Sequence, residues 1–246
     1  MAYSIDVLGT GSSGNSIFVD DNFLIDIGLG YRTIKDALAT TSAIFVTHRH
    51  GDHLTPSLVK RMFEERPFMM ERNFFINEDS RQYLIKKLPQ YENRLNNLDV
   101  IHPNGWTHTL KARDGKEYHI ETYPLVHDVE NQGFIIENEE GDTLIHATDT
   151  STMMHAPNRV FDYLLVEGNW DEDKFDEMIE SHDENDVMRA LRNTRHLSVQ
   201  AFEKFVRAHS HDSSVVLQLH ESMELGSRSL MGMNFDEARL KRKITK

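Results

Sequence analysis

The chain has 246 residues, of which 39% are hydrophobic and 27% charged, enough for one domain with a substantial core, and no linker, repeat or low-complexity tract marks a second. Zero cysteines exclude disulfides and thiolate metal sites, so any ion must be held by His, Asp or Glu. A net charge of −13 argues against a generally basic nucleic-acid-binding surface, and with no membrane-length apolar run or leader-like start the expected setting is cytoplasmic.

The first predicted elements are strands at YSIDVL, SIFVD and FLIDIG. Between the first two, Gly9-Thr10-Gly11-Ser12-Ser13-Gly14 matches the dinucleotide spacing G-x-G-x-x-G. That fingerprint works only when its last glycine opens a helix against a pyrophosphate, and here a strand follows, with a turn at Asp20-Asp21-Asn22. The segment is therefore expected to be a turn between strands, not a cofactor loop. A helix at RTIKDALA leads to a strand at AIFVTH, and a helix at TPSLVKRMFEER to a strand at RNFFIN. After a helix at SRQYLIKKL come strands at YHIETYPLVH, GFIIEN, TLIHATD and YLLVEGN. Helices at DEDKFDEMIESH, NDVMRALRN and VQAFEKFVRAH precede a last strand, SVVLQLH. The series predicts an α/β (α+β) domain spanning 1–246, with two mixed sheets packed face to face and helices on the outer faces. Residues 167–186 are strongly acidic and are expected to form solvated helix faces; the basic stretch 235–246 is expected to be a helix or a solubilising tail.

Polar residues gather at the ends of the strand patterns. The densest group is THRHGDH, where His48, His50, Asp52 and His53 offer four ligands within six residues. His48 and His50, two apart in extended backbone, share a face, while Asp52 and His53 sit where the chain turns into the next helix, so the two pairs can address neighbouring ions.

This segment resembles the signature of the metallo-β-lactamase fold, whose αββα sandwich agrees with the element series. The resemblance implies further ligands in the same order: His127 in YPLVHD, Asp149 in HATDTS as a metal-bridging carboxylate, and His220 in VVLQLHE. Asp26 in FLIDIG resembles the fold's early aspartate, which orients the metal-binding loop. Within the fold the chain is most similar to the YycJ (WalJ) branch in LGTGSSGNSIFV, EGNWD and TRHLS, departing from it at Trp170 and Arg195, where that branch commonly has histidine and glycine.

The resemblance implies two divalent ions, zinc or manganese, one held by His48, His50 and His127 and the other by Asp52, His53 and His220, with Asp149 bridging. It implies catalytic roles for Asp52, Asp149 and His196, and substrate contacts at Ser12, Ser13, Asn15, Asn169 and Ser198. The implied activity is phosphodiester hydrolysis, first as a 5′-to-3′ DNA exonuclease with single-stranded DNA as partner. Alternatives are a cyclic nucleotide or another small ester, and a non-enzymatic metal-binding regulator. No membrane partner is expected, and the sequence sets no oligomeric state. The remaining eight histidines fit no pattern and are expected mostly at the surface.

Overall fold

The computed structural model describes residues 3–65, 73–181 and 183–220. The basic stretch at 235–246 lies outside the described residues.

Twelve strands among the described residues form two six-stranded sheets, as the sequence pattern implied. The first runs in chain order: β1 (Ile5–Gly9), β2 (Ser16–Val19), β3 (Phe23–Ile25), β4 (Ala43–Phe45), β5 (Phe74–Ile76) and β6 (Asp99–Val100). Its first three strands are antiparallel hairpins, and β3 to β6 are parallel. Parallel neighbours need crossovers, supplied here by α1 (Tyr31–Thr40), α2 (Pro56–Glu65), α3 (Glu78–Lys87) and α4 (Glu92–Leu95), with a 3₁₀ turn at Pro89–Tyr91. The second sheet holds β7 (Thr107–Lys111), β8 (Glu117–Leu125), β9 (Asn131–Asn138), β10 (Thr143–Ala147), β11 (Tyr163–Glu167) and β12 (Val215–Leu219). Between β11 and β12 lie α5 (Glu172–Glu180), α6 (Glu184–Asn193) and α7 (Val199–His209).

Strand alternation divides the apolar residues between two layers. Phe23, Ile25 and Phe45 point into the sandwich, where they join Tyr118, Phe134, Ile136, Leu165 and Leu219 of the other sheet. Leu24 and Ile44, one residue off, face outward onto Ile34, Leu38, Leu58 and Val59 of α1 and α2. On the far side, Leu164 and Val166 meet Phe202 and Val206 of α7. Burial on both faces explains why these strands read as continuous apolar runs rather than alternations.

The acidic pair α5 and α6 is the exception. Helix α5 buries no residue and α6 only Ala190, in line with solvated faces.

Four elements carry no clear sequence signal. Strand β6 is two residues long, and β7 is an edge strand, THTLK, with one buried residue; neither length nor alternation marks them. The 3₁₀ turn and four-residue α4 are too short to show a helical period.

Every functional segment of interest leaves a strand at the same edge of the sandwich. Asp26 follows β3, the THRHGDH loop follows β4, His127 follows β8, Asp149 follows β10, Asn169 follows β11 and His220 follows β12.

Candidate metal centre

The turn after β4 folds back so that Ile27 bridges Leu54, bringing the end of β3 against the THRHGDH loop. The approach is too close for any side chain at Gly28, where a Cβ would lie 1.6 Å from the Asp52 carbonyl oxygen. Asp26 is buried, and its carboxylate accepts hydrogen bonds from the Thr47 amide at 2.8 Å and from the Thr47 hydroxyl at 2.8 Å. The same carboxylate holds His53 Nδ1 at 2.7 Å, which leaves Nε2 of His53 directed into the centre.

The opening glycine-serine loop has a structural task. Asn15 Oδ1 accepts from the Gly11 amide at 2.7 Å and Nδ2 donates to Gly11 O at 3.0 Å, closing the loop on itself. Its Nδ2 also lies 2.8 Å from His53 Nε2, and its backbone amide donates to Asp52 O at 2.7 Å. Thr10 Oγ1 accepts from the His220 amide at 2.8 Å. The loop thus ties two ligand-bearing turns together, while Ser12 and Ser13 stand exposed at its tip.

Seven side chains converge. His48 Nε2 and His127 Nε2 lie 3.1 and 3.3 Å from His50 Nδ1. Across the centre, Asp149 Oδ2 is 2.9 Å from His53 Nε2, and Asp52 Oδ2 is 3.6 Å from the same nitrogen. His220 Nε2 is buried without a hydrogen bond, facing Asp149 Oδ1 at 3.5 Å and Asp52 Oδ2 at 4.0 Å. Metal–donor bonds of about 2.1 Å place two donors of a tetrahedral ion about 3.4 Å apart, which is the spacing seen around this buried nitrogen. Four groups are close enough to share an ion: His48–His50–His127, His48–His53–Asp149, Asp52–His53–His220 and Asp149–His196–His220. Imidazole and carboxylate without thiolate suit zinc or manganese, so the residues fit such an ion.

The backbone is strained where it aims these groups. Asp26, Asp149 and His220 have φ of 63, 55 and 52°, a left-handed conformation that non-glycine residues adopt at a cost and that the surrounding hydrogen bonds must enforce.

Electrostatics divides the histidines. Burial pushes His48 and His127 below the ordinary imidazole range, and neighbouring histidines push the same way, so both are neutral at pH 7. Burial also opposes the charge on His53, but Asp149 and Asp26 outweigh it and hold the group well up. For His220 the same contest, won by Asp52, Asp149 and Glu167, pushes the value up to about 9. Asp149 is buried, yet His53, His220 and His48 keep its carboxyl well below the usual range.

Sequence reasoning missed Glu167. Fully buried at the end of β11, it holds His196 Nδ1 at 2.6 Å through one oxygen and accepts the Thr150 amide at 2.8 Å through the other. In YLLVEGN it looks like the tail of a strand; its role depends on the loop after β10 and on His196, 29 residues on. His196 Nδ1 also lies 3.5 Å from Asp149 Oδ1, and Trp170 Nε1 donates to His196 O at 2.7 Å, fixing that loop.

Three of the expected substrate contacts commit their side chains to protein partners. Asn15 braces the metal loop as above. Asn169 Nδ2 lies 2.9 Å from His220 Nδ1 and donates to His220 O at 2.7 Å, so it holds that histidine from behind. Ser198 caps α7, accepting from the Ala201 amide at 3.0 Å and donating to Glu172 Oε1 at 2.5 Å. Among the described histidines without a pattern, His146 is the exception to the surface expectation: it is buried, and burial pushes it down to about 3.

Comparison with known proteins now bears on this geometry. Human tRNase Z, short form, superposes with a TM-score of 0.61 at 14% identity, over 91% of this chain and 94% of that one. The metallo-beta-lactamase fold protein YhfI from Bacillus subtilis gives 0.60 at 14%, over 90% and 87%. A diphosphatase from the PhnP family gives 0.59 at 17%, over 93% and 89%. No curated protein sequence matches the chain significantly. These likenesses establish the fold, and the model of the beta-lactamase superfamily domain matches residues 21–209. With that match running from the second hairpin to the end of α7, the chain belongs to the beta-lactamase superfamily and has the metallo-β-lactamase fold.

Proposed function

We propose that the chain is a dinuclear, metal-dependent phosphodiester hydrolase, and that its first activity is 5′-to-3′ exonucleolytic cleavage of single-stranded DNA in the manner of the YycJ branch. The observation that carries the chemistry is the convergence of seven His and Asp side chains, Asp149 among them, beside a buried Glu167–His196 pair. His48, His50 and His127 would hold one ion, Asp52, His53 and His220 the other, with Asp149 shared. Two such ions would supply an activated water and neutralise charge on the attacking and leaving oxygens of a phosphoryl group.

The chain's own residues do the rest. Asp26 and Asn169 fix the ring orientations of His53 and His220 from behind. Asp52 and Asp149 accept hydrogen bonds from the attacking water and orient it. His196 is the general acid. Burial opposes its charge, but Glu167 raises its pKa and so favours the protonated ring, with Nδ1 on Glu167 and Nε2 left for the reactant. The water attacks as hydroxide, having first lost one proton to solvent; the P–O bond to the leaving nucleotide breaks as the new P–O bond forms, and the leaving oxygen takes the His196 proton.

The comparisons with tRNase Z and with a PhnP-family diphosphatase support a phosphorus-centred reaction on nucleic acid or a nucleotide. The net charge of −13 favours a small phosphodiester as the second reading. Single-stranded DNA labelled at either end, incubated with manganese or zinc, separates the two, with His48→Ala as control. Mononucleotide release from the 5′ label alone supports the exonuclease. If a preparation holding two ions per chain leaves DNA intact but hydrolyses a cyclic nucleotide, the second reading stands; if it cleaves neither, the hydrolase proposal fails.

A further inference from the structure

Arg195 stands at the mouth of the centre, next in sequence to His196. Its Nη1 lies 3.2 Å from Asp128 Oδ2, and its side chain is 62% exposed. Asp128 reaches the other way with Oδ1, which is 3.2 Å from His127 Nε2 and 3.4 Å from His50 Nε2. The guanidinium is therefore one carboxylate away from a ligating nitrogen. An exposed ion pair of this kind adds little to stability, so a purely structural role explains the arrangement poorly. Its position suits recognition instead. Arg195 offers a planar, permanently charged fork suited to phosphate oxygens, one carboxylate away from the candidate ligands.

Resting on the phosphodiesterase reading, we propose that Arg195 is a specificity-determining residue that binds a second phosphate of the substrate, beside the scissile one, and that Asp128 holds the guanidinium in place until that phosphate takes it over. The substrate class is then a nucleotide chain carrying at least two phosphates, rather than a cyclic mononucleotide or a simple diester with only one. An incoming phosphate displaces Asp128 from the fork and lengthens the separation of Asp128 from Arg195.

The test measures binding of thymidine 5′-monophosphate and thymidine 3′,5′-bisphosphate to the metal-loaded full chain. The wild type is expected to bind the bisphosphate at least about tenfold more tightly, consistent with one charge-assisted bidentate contact. In Arg195→Gln the preference should fall below about threefold, with Arg195→Lys between the two, and the salt dependence of bisphosphate binding should flatten. A wild type without preference overturns the proposal, as does an Arg195→Gln protein that keeps the preference or weakens both ligands equally. Hydrolysis of bis(p-nitrophenyl) phosphate on the same preparation keeps the two readings apart. Preference without hydrolysis removes the hydrolase reading and leaves Arg195 as an anion-binding residue; hydrolysis without preference removes only the assignment of Arg195.

Discussion

The two halves of the candidate metal centre use the same side chain in opposite states. In the His48–His50–His127 group, burial keeps His48 and His127 neutral, and neutral imidazole binds a cation without giving up a proton. In the Asp52–His53–His220 group, carboxylates pull protons onto the rings, so His53 and His220 are charged partners of Asp26, Asp149 and Asp52 in the metal-free protein. What distinguishes them is not the ligand but what stands beside it. For His48 and His127 burial outweighs the acids nearby, Asp149 and Asp128, whereas for His53 and His220 the acids outweigh burial. The first half should therefore take an ion without proton release, whereas the second exchanges protons for metal.

The comparison is broken most severely at the residue that both halves share. Asp149→Ala removes the carboxylate facing His53 and His220, and hydrolysis of bis(p-nitrophenyl) phosphate is expected to fall by at least about a thousandfold, corresponding to several kcal/mol of lost charge stabilisation. Metal analysis should show fewer ions per chain, with the folded state checked by circular dichroism. Full activity with full metal content would show that the halves do not meet at Asp149.

A smaller effect, in pH dependence, sharpens the contrast. Metal titrations between pH 6.5 and 9 should show affinity at the Asp52–His53–His220 group rising by about tenfold per pH unit for each proton displaced, and affinity at the His48–His50–His127 group nearly flat. His48→Ala and His220→Ala isolate the two. Equal slopes would end the distinction. Stability of the metal-free protein runs the other way. The folded pKa of His220, about 9, lies above its unfolded value near 6.5, so its contribution is complete below about 6.5 and is lost as pH rises through 9. Asp149 has a depressed folded pKa, so its contribution is present above about 4 and disappears as pH falls further. Thermal melts of chelator-treated protein should therefore show Tm falling from pH 6.5 to 9, a decline that saturating metal suppresses.

The smallest expected effect lies outside both halves. Ser198→Ala removes the cap of α7 and should cost about 1 kcal/mol of stability, read as a lower denaturant midpoint. A large rise in KM with unchanged stability would return Ser198 to the substrate contacts that its sequence setting suggested.

How much of the centre could be read from the chain depended on distance along it. The four ligands of THRHGDH lie within six residues, and a turn of that length cannot scatter them, so local spacing was enough to put His48, His50, Asp52 and His53 together. His127, Asp149 and His220 were named through the resemblance, and each does end an apolar strand whose end lies at the same edge. Asp26 was legible through resemblance alone, and the structure supplies its means, a carboxylate shared between Thr47 and His53.

Partnerships between distant loops left no trace in spacing. Glu167 meets His196 only because β11 lies beside β10 and the chain after α6 returns over that edge. Arg195 meets Asp128 across 67 residues, and Asn169 meets His220 across 51. Asn15 and Asn169 were expected as substrate contacts, but folding buries both, and a buried amide must find partners among whatever surrounds it. The sequence by itself thus determined the sandwich, its helical outer layers and the ligand-bearing strand ends, because hydrophobic period and short spacings act within one element. Only the tertiary structure decided which histidines are charged and which polar residues brace the ligands, because burial and hydrogen-bond partners come from elements that the chain brings together from far apart.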